Sequence, residues 1–203
     1  MFIKNHYKKI LLITLGILLI LSVTLTYLYF HNFHTLIPNA VYRSNQLSKL
    51  EFAHAIEQYH VKSIINLRRD YPAAWYTDEI DISQAKNVQH YDVGMAAYAL
   101  PDPKLLSQLV QTLEEAPRPV LIHCQGGSDR SGLASAILLI LGGETSLPVI
   151  NHQISYYPYF VIHSDSVGKL VLERYETWLK ENHLTSSREN FLTWVKMIQE
   201  QGW

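Results

Sequence analysis

The sequence predicts an α/β domain with a central, mostly parallel sheet flanked by helices, preceded by one N-terminal transmembrane helix. Three observations carry this reading: a 21-residue uncharged apolar run near the start, short apolar strand-type runs alternating with amphipathic helical spacings, and a glycine-rich loop between one such strand and an apolar helix. At 203 residues the chain has room for one domain with a real core plus an appendage. Lys and Arg number 17 against 18 Asp and Glu, which excludes a global field for nucleic acid and makes any anion recognition local.

The apolar run, Ile10 to Phe30, matches the length of a helix crossing a hydrocarbon core about 30 Å thick. Tyr27 and Tyr29 sit near its far end, where amphipathic rings favour the interface. Lys4, Lys8 and Lys9 precede it and the next cation is Arg43, so the positive-inside bias keeps the N-terminus cytoplasmic. A cleavable signal peptide has a shorter apolar region ending in small residues, whereas this run ends in Tyr-Leu-Tyr-Phe-His. The expected organisation is a basic cytoplasmic N-terminus over residues 1–9, an uncleaved transmembrane signal anchor over 10–30, a polar linker over 31–39 ahead of one exported domain over 40–203. A solitary cysteine suits an oxidising, extracytoplasmic compartment, because no second thiol is present to close an internal disulfide.

Within the domain, Ser48 and Glu51 form a capping box opening a helix to about Tyr59. Strand-type runs follow at Val61 to Leu67, around Val88 to Val93, and at Val120 to His123. Asp102 reads as an N-cap with Pro103 at the first helical position, and Leu105, Leu106, Leu109, Val110 and Leu113 line one face. Leu133 to Leu141 is an almost wholly apolar helix closed by Gly142 and Gly143, so it should be buried. Two amphipathic helices end the chain, about Ser166 to Lys180 and Ser187 to Gln199, the second opened by a capping box from Ser186 to Glu189.

The loop "HCQGGSDRSG" (His123 to Gly132) holds the only cysteine. Amides of Gln125 to Arg130 can converge at the N-terminus of the apolar helix and form an anion site, with Gly126 and Gly127 letting the backbone curl. Cys124 at the base of that cradle should have a depressed pKa, because amides, helix terminus and guanidinium all favour thiolate. A thiolate beneath a bound phosphate is a nucleophile in line for phosphorus. Arg130 can grip two phosphate oxygens bidentately, and the Ser131 hydroxyl can assist the sulfur as leaving group, so a phosphocysteine intermediate is expected. By default a lone cysteine is a small buried hydrophobe and a glycine pair a turn. It is the conjunction of His-Cys, five residues and Arg-Ser-Gly, between a strand and an apolar helix, that lifts the chemical reading.

That conjunction resembles the signature of the cysteine-dependent protein tyrosine and dual-specificity phosphatases, His-Cys-x5-Arg-Ser/Thr. "VYRSNQLS", "VKSIINLRRD", "WYTDE" and "PVLIHCQGGSDRSGLASAILL" widen the resemblance to bacterial membrane-anchored or periplasmic tyrosine phosphatases. The resemblance implies a dual-specificity-phosphatase-like fold for residues 40–203 and no cofactor or metal. It makes Cys124 the nucleophile, Arg130 and Ser131 its partners, and Gln125, Gly126, Gly127, Ser128, Asp129 and Arg130 the phosphate-binding residues. His123 is expected to support the loop rather than carry protons.

The family's usual aspartate acid would fall near Ala97 or Tyr98, neither of which can protonate a leaving group. Asp129, Asp102 and Asp92 compete in that order: Asp129 adjoins Arg130, as the acid of the myotubularin signature does, while Asp102 fits an N-cap and Asp92 a strand end. Arg43 and Arg68 either extend the positive surround or pair with a carboxylate such as Asp70 or Glu79, and "ISYYPYF" is expected to pack the domain. No lysine stands between Cys124 and Arg130, which tilts the expected substrate toward a phosphotyrosine protein or another singly phosphorylated ligand. The alternatives are an inositol-phosphate or phosphoinositide phosphatase of the same fold, a catalytically silent phosphate-binding module, and a rhodanese-type sulfurtransferase.

Overall fold

The computed structural model describes the backbone of residues 2–69 and 73–203, and the side chains of 7–26, 32–69 and 73–203. Roles read from the sequence for Lys4, Tyr27, Tyr29 and Asp70 lie outside those side chains. The chain divides into two compact units, Met1–His31 and Asn32–Trp203. The first is helix α1 (Phe2–His31). Its stretch Tyr7–Thr26 is long and apolar enough to cross a membrane or to act as a signal sequence, and none of it is buried inside the protein.

The second unit is built on five four-residue strands: β1 (His34–Ile37), β2 (Val41–Ser44), β3 (Ser63–Asn66), β4 (Gln89–Asp92) and β5 (Val120–His123). Their order is β1-β2-β5-β3-β4; β1 runs antiparallel to β2 and every other pair is parallel. Strand β5 lies at the centre, its last residue His123 flanked by Ser44 of β2 and Asn66 of β3. Side chains alternate across the sheet, so Leu121 joins the apolar cluster under α2 (Lys49–Gln58) and α3 (Ala74–Ala85). Val120 and Ile122 face the larger core beneath α4 (Pro103–Glu115), α5 (Asp129–Leu141), α6 (Leu147–His152), α7 (Val167–Glu181) and α8 (Arg188–Gln201).

Local sequence explains the helix starts. The Ser48 amide donates to Glu51 Oε2 at 2.9 Å and the Glu51 amide to Ser48 Oγ at 3.5 Å, the expected capping box of α2. Asp102 caps α4, accepting from the Lys104 amide at 2.8 Å, with Pro103 at the first position. Helix α5 is buried on nearly all sides because sheet, α4, α7 and α8 surround it. Fully buried Leu133, Ile137 and Ile140 each contribute about 1.5–3 kcal/mol of burial that holds the helix under the loop.

Two expectations are corrected. Residues 31–39 are no linker: β1 pairs with β2 and the second unit begins at Asn32, which is buried. Helix α8 is capped by Ser187, whose Oγ accepts from the Asn190 amide at 3.1 Å, rather than by a Ser186–Glu189 box. Ser186 is buried, with its hydroxyl 3.4 Å from Tyr175 Oη, so the helix starts one residue later.

Candidate active site

The loop from Cys124 to Ser128 joins the central strand to the buried helix. It turns at Gly127, whose φ is +69° and where a Cβ would stand 2.6 Å from the Asn45 amide nitrogen and 2.7 Å from the Ser44 carbonyl carbon. Both the left-handed backbone and this close approach to the end of β2 require glycine. The four carbonyls that follow Cys124 are all taken on the outer side of the loop. Gln125 O accepts from the Gln46 amide at 3.1 Å and Gly126 O from Asn32 Nδ2 at 2.8 Å. Arg43 Nη2 donates to Gly127 O at 2.9 Å and to Ser128 O at 3.1 Å. In a trans peptide the N–H points opposite to the preceding C=O, so the amides of Gly126, Gly127, Ser128 and Asp129 turn inward and form an anion cradle.

Cys124 is buried at the base of that cradle. Burial alone pushes its pKa up, but the charge of Arg130, a hydrogen bond from the Ser131 hydroxyl and the amides of Ser131 and Gly127 outweigh it and bring the thiol below its ordinary 9.0. The Arg130 guanidinium is steered by its Nη1, 3.4 Å from both Leu67 O and Met95 O just beyond β3 and β4, while its Nε has no partner among the described residues. Ser128 contributes its amide only: its hydroxyl donates to Gly126 O at 3.3 Å and accepts from Asn32 Nδ2 at 3.2 Å on the outer side.

The three candidate acids differ sharply. Asp92 is engaged at both oxygens, by Asn66 Nδ2 at 2.8 Å and Tyr76 Oη at 2.6 Å, and Asp102 is occupied as an N-cap. Asp129, the first residue of α5, has a buried Oδ1 with no hydrogen-bond partner among the described residues. Where the family's usual acid was sought, Ala97 O accepts from the Val167 amide at 2.7 Å and the Tyr98 ring lies half-exposed, 4.5 Å from that of His163.

Behind Cys124, His123 Nε2 lies 2.9 Å and His90 Nε2 2.8 Å from the same oxygen of buried Glu79, and Gln46 Nε2 donates to the other at 3.0 Å. Burial would raise the Glu79 carboxyl; attraction to His123 and hydrogen bonds from His123, His90 and Gln46 hold it well below the usual carboxylate range. Glu79 thus ties the strand end that carries His123 to helix α3. It is not the partner of Arg43, as the sequence allowed. Arg43 is fully buried on backbone carbonyls, and Arg68 stacks over Trp75 at 3.8 Å and donates to Gln46 Oε1 at 3.1 Å. In Ile154 to Phe160, Ile154 and Tyr159 pack inward while Tyr156 and Tyr157 are exposed. Sequence reasoning missed Asn32, Gln46 and Gln153; the one signal available was an arginine inside the short run "VYRS".

The chain thus carries, at the end of its mostly parallel sheet, backbone amides turned to receive an anion. It belongs to the tyrosine phosphatase family, whose model matches residues 28–150. No curated protein matches the chain. Among solved structures it is similar to the core catalytic domain of the PP-IP phosphatase SIW14 from S. cerevisiae, 22% identical with 75% of this chain and 93% of that chain covered, at a TM-score of 0.57. It is also similar to Tk-PTP in the active form, 20% identical over 70% of this chain and 95% of that chain, TM-score 0.58. TpbA from P. aeruginosa is 24% identical over 71% of this chain and 84% of that chain, TM-score 0.52, and its structure in complex with pTyr is similar as well.

Proposed function

We propose that this protein hydrolyses phosphotyrosine in proteins through a phosphocysteine intermediate. The observation that carries the proposal is the depressed thiol of Cys124 at the base of inward-turned amides, with Arg130 beside it. The Cys124 thiolate forms an S–P bond as the P–O bond to the tyrosyl oxygen breaks, and Asp129 gives its proton to the departing phenolate. Water then attacks phosphorus and gives a proton to the Asp129 carboxylate. The P–S bond breaks with the thiolate leaving toward Ser131, and inorganic phosphate is released. Arg130 and the amides hold the equatorial oxygens throughout.

The unpartnered oxygen of Asp129 favours it as the acid over Asp92, whose two oxygens are both engaged, and over Asp102, whose Oδ1 caps α4. Its carboxylate, and the lack of any basic residue between Cys124 and Arg130, disfavour substrates carrying several phosphates. Asp129→Asn is expected to lower kcat about 100-fold for phenyl phosphate and far less for p-nitrophenyl phosphate, whose leaving group needs no proton. Rapid quenching should also trap a phosphate on the intact protein. A loss independent of leaving group would remove Asp129 from this role, and an unmodified quenched protein would overturn the intermediate.

The apolar stretch of α1 supports a signal anchor that leaves the N-terminus cytoplasmic and the catalytic unit exported. The expected result is a full-length chain that stays with membranes after alkaline extraction and is digested by protease added outside the inner membrane. A mature chain beginning after residue 31 would overturn the anchor, and protection from that protease would overturn the topology.

A further inference from the structure

We propose that Arg43, with Asn32, is a positioning residue that sets the direction of the cradle amides from behind the loop; this rests on the phosphate-binding reading of that loop. Arg43 lies on β2 beside Ile122 of the central strand and is 0% exposed. Its guanidinium is engaged through both terminal nitrogens, while its buried Nε has no hydrogen-bond partner among the described residues. Nη1 donates to Gln153 O at 3.0 Å, Nη2 to Gly127 O and Ser128 O at 2.9 and 3.1 Å, and the Tyr159 ring lies against it at 4.1 Å. No carboxylate bonds to it among the described residues. Burial lowers its pKa to about 10, and the charges that pull the other way are those of Tyr159, Cys124 and Asp129, so it remains a cation.

A buried cation without an ion-pair partner is costly, and a Met or Gln would fill the same volume more cheaply if packing were the only task. What the guanidinium supplies is one nitrogen, Nη2, that holds two consecutive carbonyls, hence the amides of Ser128 and Asp129, a second, Nη1, that anchors it on Gln153 O, and a positive charge on the far side of the loop from the bound anion. Asn32 holds the preceding peptide plane through Gly126 O, and His34 Nε2, 2.7 Å from Asn32 Oδ1, fixes which way its amide points. Three successive peptide planes are thus aimed by side chains from residues 32 and 43 that never touch substrate.

The experiment compares Arg43→Met, Arg43→Lys and Asn32→Ala in the full chain, reading the pH midpoint of Cys124 alkylation by iodoacetamide, the dissociation constant of inorganic phosphate and the unfolding temperature. Arg130, the other charge acting on the sulfur, and Asp129, which acts on Arg43, remain in all three. Arg43→Met should raise the alkylation midpoint by about one pH unit and weaken phosphate binding about tenfold. Arg43→Lys should recover the midpoint through its charge but not phosphate affinity, because its single nitrogen cannot hold the Gln153 anchor and both loop carbonyls together. Asn32→Ala should weaken phosphate about threefold with the midpoint unchanged. Folded Arg43→Met with midpoint and phosphate affinity within twofold of wild type would overturn the proposal. So would an Arg43→Met that fails to fold beside an Asn32→Ala of wild-type phosphate affinity. Neither readout needs turnover, so a wild type that binds phosphate yet hydrolyses no ester removes the enzymatic reading alone.

Discussion

Replacing Cys124 by serine should lower turnover of p-nitrophenyl phosphate by a factor on the order of 10^5 or more while leaving phosphate binding within a few-fold of wild type. The cradle is made by amides and Arg130, none of which depends on sulfur, so the anion is still held. What disappears is the nucleophile, because a serine hydroxyl does not ionise where the thiol does. In the wild type the depressed thiol is charged at pH values below its ordinary 9.0, and alkylation should slow only as pH falls through the lowered value. In the unfolded chain alkylation should titrate near that ordinary value. Since the serine variant binds without turning over, it should retain phosphotyrosine proteins from an envelope extract. Residual turnover within tenfold of wild type would sink the nucleophile assignment, and retention of no phosphorylated protein would sink the protein-substrate assignment.

Arg130→Lys is expected to cost about 10^3-fold in kcat/KM, with most of the loss in kcat. The guanidinium is held through Nη1 by two backbone carbonyls, which leaves the fork on its Nε side for two phosphate oxygens. A lysine ammonium offers one point of charge and cannot span two oxygens whose negative charge redistributes in the transition state. The charge is retained, so ground-state binding should suffer less than the chemical step. Saturation kinetics with an aryl phosphate separate the two: a rise in KM with unchanged kcat would mean that Arg130 only recruits the substrate.

Helix starts and the cysteine loop were legible in the sequence because their signals are local. The Ser48–Glu51 box, the Asp102-Pro103 cap and the glycines after Leu141 each act within a few residues. Strands β1 and β2 were not, although they are no shorter than the others: β1 is a partly exposed edge strand of mixed residues, and β2 buries Arg43 and Ser44 beside Val41 and Tyr42, a pattern that reads as surface. Helix α3 begins at Ala74 behind Ala73, which offers no side-chain cap, so the usual start signal is missing. Arg43 could not be assigned because its acceptors are backbone carbonyls some 84 residues away, chemistry that no residue type encodes. Asp129 was ranked first by its place beside Arg130 and by the resemblance to the myotubularin signature, and its unpartnered oxygen adds a physical ground for testing it.

Asn32 is the first residue after α1, and its side chain reaches Gly126 O, Ser128 Oγ and Tyr159 O. Anyone preparing a soluble form of the catalytic unit would naturally cut in the polar stretch between the apolar helix and Val41. A cut anywhere after Asn32 discards a wall of the site along with the apolar helix, and one placed within His34–Ile37 also strips the antiparallel edge from β2. The boundary that preserves a working protein therefore lies at or before residue 31, closer to the apolar helix than composition suggests.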